Sequence, residues 1–220
     1  MISTRFRHIC TEIPNERDKD IIETIALLES KQANKELPVV WDHADGFQIF
    51  DRWGNCWIDM TSSIFVTNAG HNSENNRKHV QSTLDKGLMH AYCYPTVERA
   101  EFLQKLLGMT PSYLEKASLA SAGTEASERA LKLARLYSAQ TTPEKNVIIG
   151  GSGNYHGKTM GALMSATTPE VRKWVGYQDP NMLQMPFPYP WIMECKNLSG
   201  SQLFFNDIEE LEKNGLDLKK

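Results

Sequence analysis

The stretch Ser121–Arg135, SAGTEASERALKLAR, opens with small residues around one glycine and then settles into a helical pattern. Ala126, Ala130, Leu133, Ala134 and Tyr137 recur at spacings that place them on one face of a helix, predicting a buried stripe. Glu125 and Arg129 stand four apart, as do Glu128 and Lys132, each with the acid first, the favourable order for an ion pair. The start of this helix carries the information. A helix N-terminus exposes unpaired N–H groups and about half a positive charge. Gly123 lets a ligand approach the backbone, and Thr124 offers a hydroxyl beside an amide, a combination that suits a phosphate. Taken alone, the tripeptide reads first as an ordinary helix start, because Ser, Gly and Thr are common there. It is neither a GxxxxGK[ST] nor a GxGxxG loop.

A second element lies downstream. Asn146–Gly150, NVIIG, predicts a buried strand, followed by the loop GGSGNYHGKT and a short helix in KTMGALMSAT. Upstream, Ala117–Ser121, ASLAS, predicts another short strand. Strand, helix, strand, helix with short connections points to a parallel sheet, and ligands bind beyond the carboxyl ends of such strands. Tyr155 is an aromatic plane among glycines, able to stack on a flat ring or simply to pack in a turn. Lys158 reads as a solvated lysine at a helix start. Residues 170–200, with Pro180, Pro186, Pro188 and Pro190, predict an irregular segment, and NDIEELEKNG a last helix capped by Asn206 or Asp207 and stopped by Gly215.

Before this region, Ile21, Ile22, Ile25 and Leu28 predict a helix within 17–36, closed by Pro38. Gly46–Met60, GFQIFDRWGNCWIDM, predicts a β-hairpin turning at Gly54-Asn55. SSIFVTNAGH then reads as a short strand or loop, and residues 74–90 as a helix with Val80, Leu84 and Leu88 on one side. TVERAEFLQKLLGM predicts a further helix capped by Thr96 and ended by Gly108.

Composition narrows the function classes. The 220 residues carry a net charge of −3, which gives no field for nucleic acid or an acidic membrane. Cys10, Cys56, Cys93 and Cys195 form no CxxC pair, no metal spacing is evident, and no apolar stretch reaches a membrane span. A soluble, cytoplasmic protein with no nucleic-acid or membrane partner is expected.

SAGTEASERALKLAR followed by GNYHGKTMGAL resembles the class III aminotransferases of the ornithine, acetylornithine and 4-aminobutyrate type, and DGFQIFDRWGNCWIDMTSSIFVTNAGH resembles the same family's N-terminal hairpin and the segment after it. The resemblance covers about Val39 to Thr167. It implies an α/β protein of the pyridoxal-phosphate-dependent transferase fold type I. Residues 1–90 would be an N-terminal segment belonging to the small domain, and 91–220 the first part of the large cofactor-binding domain with its mixed or parallel sheet. It implies that Gly123 and Thr124 hold the phosphate of pyridoxal 5'-phosphate, with Ala122 standing where the family often has serine. It implies that Tyr155 stacks on the ring, that His156 and Gly157 complete that motif, and that Ser63 and Ile64 line the substrate side. The family's GHxxP reads Gly70-His71-Asn72-Ser73-Glu74 here, without the proline.

The family's Schiff-base lysine and pyridinium-pairing aspartate sit downstream of the YHG motif, so no catalytic residue is assigned in this chain. The chain is expected to be an incomplete, inactive N-terminal half of an enzyme that moves an amino group from an amine or amino acid to a keto acid, homodimeric at full length. Three other readings remain: a non-catalytic phosphate-ligand-binding or interaction subunit, an aminomutase, decarboxylase or racemase of the same family, and a plain α/β domain.

Overall fold

The computed structural model describes residues 1–30, 37–166 and 170–217. The chain divides into two compact units, Met1–Ala100 and Glu101–Lys220.

The first unit is built on a five-stranded antiparallel sheet in the order β1-β2-β5-β4-β3. Its strands are β1 (Ile2–Ser3), β2 (His8–Ile9), β3 (His43–Asp45), β4 (Gln48–Phe50) and β5 (Cys56–Ile58). The predicted hairpin is β4–β5, with Gln48 opposite Ile58 and Phe50 opposite Cys56. Its turn is held by more than Gly54. Asp51 Oδ1 accepts from the amides of Trp53 (2.8 Å) and Asn55 (2.9 Å). Asn55, only 1% exposed, uses both ends of its amide. Its Oδ1 accepts from the Cys10 and Thr11 amides at 2.7 and 3.1 Å, and its Nδ2 donates to Thr11 Oγ1 and Asp51 Oδ2 at 2.7 and 2.6 Å. The turn thereby clamps the strand pair to the N-terminal segment. Buried Asp18 adds a second clamp, accepting from Arg52 Nη2 and Trp53 Nε1, both at 2.8 Å.

Helix α1 (Lys19–Leu28) follows a 3-10 turn, Glu16–Asp18, and ends at the Glu29 cap. The predicted continuation across 31–36 lies outside the described residues. Helix α3 (Glu74–Asp85) stops before Leu88, because Gly87 turns the chain at φ 69°. Glu74 is the first residue of α3, where a proline would also be accommodated, so its substitution in the GHxxP pattern leaves the helix start intact. Helix α4 (Val97–Gly108) runs across the boundary between the units and starts as expected, with Thr96 Oγ1 accepting from the Arg99 amide at 3.2 Å.

The second unit contains a parallel pair, β6 (Ile148–Gly151) and β7 (Met182–Met185), with Ile148 opposite Met182 and Gly151 opposite Met185. Helix α6 (Met160–Ala166) lies in the crossover. Adjacent strand residues point to opposite faces. A side chain on Gly150 would overlap the Ser165 carbonyl of α6, and Ile149, Gly150 and Gly151 line a crevice with Leu203 and Phe204 of α8 (Gly200–Lys213). Ala162, Leu163, Met164, Met182 and Leu203 are buried in this unit, whereas β6, expected to be a buried strand, has no buried residue and leaves Ile149 39% exposed.

Three further expectations fail here. ASLAS is not a strand: among the described residues no strand pairs with it, and Arg129 instead donates to Ser118 Oγ and the Leu119 carbonyl. The parallel partner of β6 is β7, inside the proline-rich segment, which also holds α7 (Pro190–Lys196). The last helix starts at Gly200, not near Asn206, because Ser199 and Gln202 form a reciprocal capping box; Asp207 is buried inside the helix.

Among the described residues, no helix is long and apolar enough to cross a membrane. Asn55→Ala strands two backbone amides and two side-chain partners, and is expected to lower stability by about 2–4 kcal/mol. Urea denaturation of the chain checks this.

Candidate cofactor site

Helix α5 (Gly123–Thr141) begins where the sequence places it, but its start is uncapped. Ala122 occupies the N-cap position in an extended conformation, φ −146° and ψ 159°, and its methyl group accepts nothing. Its carbonyl takes the Ala126 amide at 3.1 Å. Among the described residues, no protein group accepts from the amides of Gly123, Thr124 or Glu125. Capping by Ser, Thr, Asn or Asp at this position ordinarily contributes about 1 kcal/mol, which this helix forgoes. Around Gly123 the space is open: an added Cβ would meet nothing within 4 Å.

The second loop closes onto this start. Gly157 is buried at φ 124°, and a side chain there would overlap Thr124 Oγ1 and Cβ. Glycine is therefore required twice over, for its backbone angle and for this approach. The contact brings the GNYHG loop to the first turn of α5. Two residues before Gly157, Tyr155 is 73% exposed, with its ring available to a ligand. His156 is half-buried, and its Nδ1 lies 2.9 Å from Ser165 Oγ. Ser165 Oγ donates to the Ala162 carbonyl at 3.0 Å, so Nδ1 is the donor toward Ser165. Lys158 is exposed.

Below the contact, Thr124 Oγ1 lies 3.0 Å from Thr159 Oγ1, and Thr159 donates to Glu128 Oε1. The same carboxylate oxygen accepts the amides of Gly161 (2.9 Å) and Ala162 (3.0 Å), the first turn of α6. The Thr159 hydroxyl holds the Glu128 carboxyl below the usual carboxylate range; partial burial opposes this, and the two amides reinforce it.

The packing face of α5 departs from the predicted stripe. Ala126, Ala130, Leu133, Ala134 and Tyr137 are exposed, while Thr124, Glu128, Leu131 and Arg135 are half-buried. Glu128 and Gly161 explain this, since the carboxylate reaches α6 only if α5 turns that side inward. The predicted ion pairs give way as well. Glu125 Oε2 accepts the Ser121 amide at 2.9 Å, Glu128 caps α6, and Arg129 holds the segment before the helix. Glu128 and Thr159 were not singled out as site residues. Their signal was present: Glu128 sits one turn after Thr124, on the same face.

Ser63 and Ile64 belong to the first unit. They lie in α2 (Ser62–Phe65), which is neither strand nor open loop but a single turn of left-handed helix, with φ between 48° and 70° at all four residues. Such angles cost L-residues roughly 1–2 kcal/mol each. Asp59 holds the turn. Its Oδ1 accepts from the amide and hydroxyl of Thr61 (3.0 Å each), and its Oδ2 from the Ser63 amide (3.0 Å) and His71 Nε2 (2.9 Å). The backbones of Gly46 and His71 exchange hydrogen bonds of 3.0 and 2.7 Å, anchoring the far end. The bond from His71, against the cost of burial and with help from Thr61 and Ser63, lowers the Asp59 pKa to about 2.

With this geometry in view, the comparisons are decisive about family. The aminotransferase class-III profile matches residues 30–217. The chain belongs to this family of pyridoxal-phosphate-dependent enzymes. It is similar to the diaminobutyrate–2-oxoglutarate transaminase of Halalkalibacterium halodurans, 29% identical over 79% of this chain and 40% of that protein. It is similar to the acetylornithine aminotransferase of Clostridium acetobutylicum, 34% identical over 61% of this chain and 35% of that protein. Among solved structures, an (S)-enantioselective omega-transaminase from Thermomicrobium roseum superposes with a TM-score of 0.74 at 21% identity, covering 89% of this chain and 46% of that one. An amine transaminase from an uncultivated Pseudomonas species, solved with PLP bound, superposes at 0.65 and 22% identity, over 85% of this chain and 43% of that one. The fold is the PLP-dependent transferase fold type I, present in part. The chain spans less than half the length of these relatives.

Two outcomes follow from the geometry. A carboxylate with a depressed folded-state pKa stabilises above its unfolded value, near 4, and that contribution is lost as pH falls through about 2. Protection of the Ser63 amide from hydrogen exchange is expected to fall between about pH 4 and pH 2, and Asp59→Asn is expected to abolish this dependence. Gly157→Ala forces both a strained backbone and an overlap with Thr124, and is expected to cost about 2 kcal/mol or more in a urea titration.

Proposed function

We propose that the start of α5 and the Tyr155 loop hold pyridoxal 5'-phosphate, and that this chain supplies the phosphate cup of an aminotransferase. The observation that carries the reading is the set of three unclaimed amides at Gly123, Thr124 and Glu125, on a helix whose N-cap residue is alanine. An anion there satisfies donors that the chain itself leaves open and meets the positive end of the helix dipole. Gly123 admits it without a side chain in the way. The Thr124 hydroxyl stands at the rim, and Ala122 contributes backbone alone. Tyr155 covers the face of the ring, and His156, tied to Ser165, fixes the loop that carries the tyrosine.

When bound, pyridoxal phosphate supplies an electron sink to the carbon that bears the amino group. The residues of this chain bind and orient. The proton transfers of the reaction are assigned to the lysine that the family places downstream, and the pairing of the pyridinium nitrogen to the family's aspartate. In the whole enzyme the donor is an amine or amino acid and the acceptor a keto acid, with Ser63 and Ile64 on the substrate side. The same reading takes residues 1–90 as part of the small domain and 91–220 as the first part of the large one, and makes the full-length protein a cytoplasmic homodimer.

The test is binding to the chain itself. Titration with PLP, followed by absorbance and by quenching of tryptophan fluorescence, is expected to saturate and to be competed by inorganic phosphate. Gly123→Val fills only open space in the protein, so its melting temperature should hold while PLP affinity falls about tenfold or more. Absence of saturable PLP binding, or binding indifferent to phosphate and to Gly123→Val, sinks the reading.

A further inference from the structure

We infer that Glu128 is a positioning residue for the cofactor site: through one carboxylate oxygen it fixes the Tyr155–Thr159 loop against the start of α5 and orders the hydroxyl of Thr124. The inference deepens the cup reading above and rests on it for its functional meaning.

Three donors converge on Glu128 Oε1: the Thr159 hydroxyl and the amides of Gly161 and Ala162. Thr159 ends the loop that begins with Tyr155 and Gly157, and Gly161 and Ala162 begin α6. One side chain of α5 therefore holds both the end of the loop and the helix that follows it. Two glycines make the reach possible. A side chain at Gly161 would overlap Glu128 Oε2, and one at Gly157 would overlap Thr124. Close approach occurs on both sides of Thr159, and Glu128 binds at its centre.

The carboxylate also sets the direction of the hydroxyl protons. An ionised carboxylate only accepts, so the single Thr159 proton is committed to Glu128. The 3.0 Å contact between the two threonine oxygens must then use the Thr124 proton. Thr124 donates inward and keeps only lone pairs for any further contact. While the tie holds, the phosphate is met by the backbone amides of the cup, and Thr124 joins only by turning its hydroxyl away from Thr159. Glu128 is engaged by Thr159, Gly161 and Ala162 and not by the open amides of the cup. It acts through Thr159 and Thr124.

The test compares Glu128→Ala with Glu128→Gln in the chain, with and without PLP. Glutamine retains an oxygen at the same reach for the three donors, so it should rescue. Without ligand, hydrogen exchange at the Gly161 and Ala162 amides is expected to quicken at least tenfold in Glu128→Ala and less than threefold in Glu128→Gln. With PLP, Glu128→Ala is expected to bind about tenfold more weakly and Glu128→Gln within about twofold of the parent. Unchanged exchange in a folded Glu128→Ala overturns the inference, as does quickened exchange with unchanged PLP affinity. If Glu128→Ala does not fold, Thr159→Val takes its place: it is expected to bind PLP about tenfold more weakly while Glu128→Gln stays within about twofold, and unchanged affinity in Thr159→Val or quickened exchange in Glu128→Gln overturns the inference. A parent chain that binds no PLP overturns the cup reading instead, while the ligand-free exchange still decides whether Glu128 makes the tie.

Discussion

The close approach of Gly157 to Thr124 is the constraint on which the second unit's candidate site depends. The loop after β6 has to come within van der Waals reach of the first turn of α5, and only a residue without a Cβ, at φ 124°, permits it. Once that contact is made, Thr159 lies beside Thr124, Glu128 lies beneath Thr159, and α6 begins against the side of α5 that bears the carboxylate. The rotation of α5 about its own axis is set where Glu128 meets the first turn of α6. Its polar side, with Glu128 and Arg135, turns inward, and its alanine-rich side stays exposed.

The first unit uses carboxylates and amides in a comparable way. Asn55 and Asp51 organise one turn, Asp18 ties a second segment to it, and Asp59 holds a third. Each is buried or nearly so, and each accepts or donates in several directions at once. With few large apolar side chains fully buried in this unit, polar groups of fixed geometry define where the connecting segments run.

Much of this was legible in the residues. Gly54-Asn55 between alternating apolar positions announces the β4–β5 hairpin, and Gly123-Thr124 before a regular pattern announces the start of α5. What was hidden has a common cause: tertiary contacts outweighed local pattern. The four residues of β7 sit among prolines that read as irregular chain, and their strand character depends on pairing with β6. ASLAS has the composition of a short strand but no strand partner among the described residues, and it is held by Arg129 instead. The stripe on α5 was read from alanines, which carry little apolar weight, whereas the packing side was chosen by Glu128 meeting α6. Gly123, Thr124 and Tyr155 could be named as candidates from the residues, but the tie through Glu128 and Thr159 could not, since it joins residues more than thirty apart in the chain.

The left-handed turn at Ser62–Phe65 carries a consequence for how the chain can vary. At four successive positions the backbone angle, more than the side chain, decides which residues are admitted. Glycine relaxes the turn wherever it is introduced, while proline, locked near φ −65°, is barred from all four. A β-branched residue such as Ile64 is among the least comfortable there. The tolerance profile of this segment is thus inverted relative to an ordinary helix, where glycine weakens and isoleucine is accepted. A substitution scan of these positions would rank residues by handedness rather than by size or polarity.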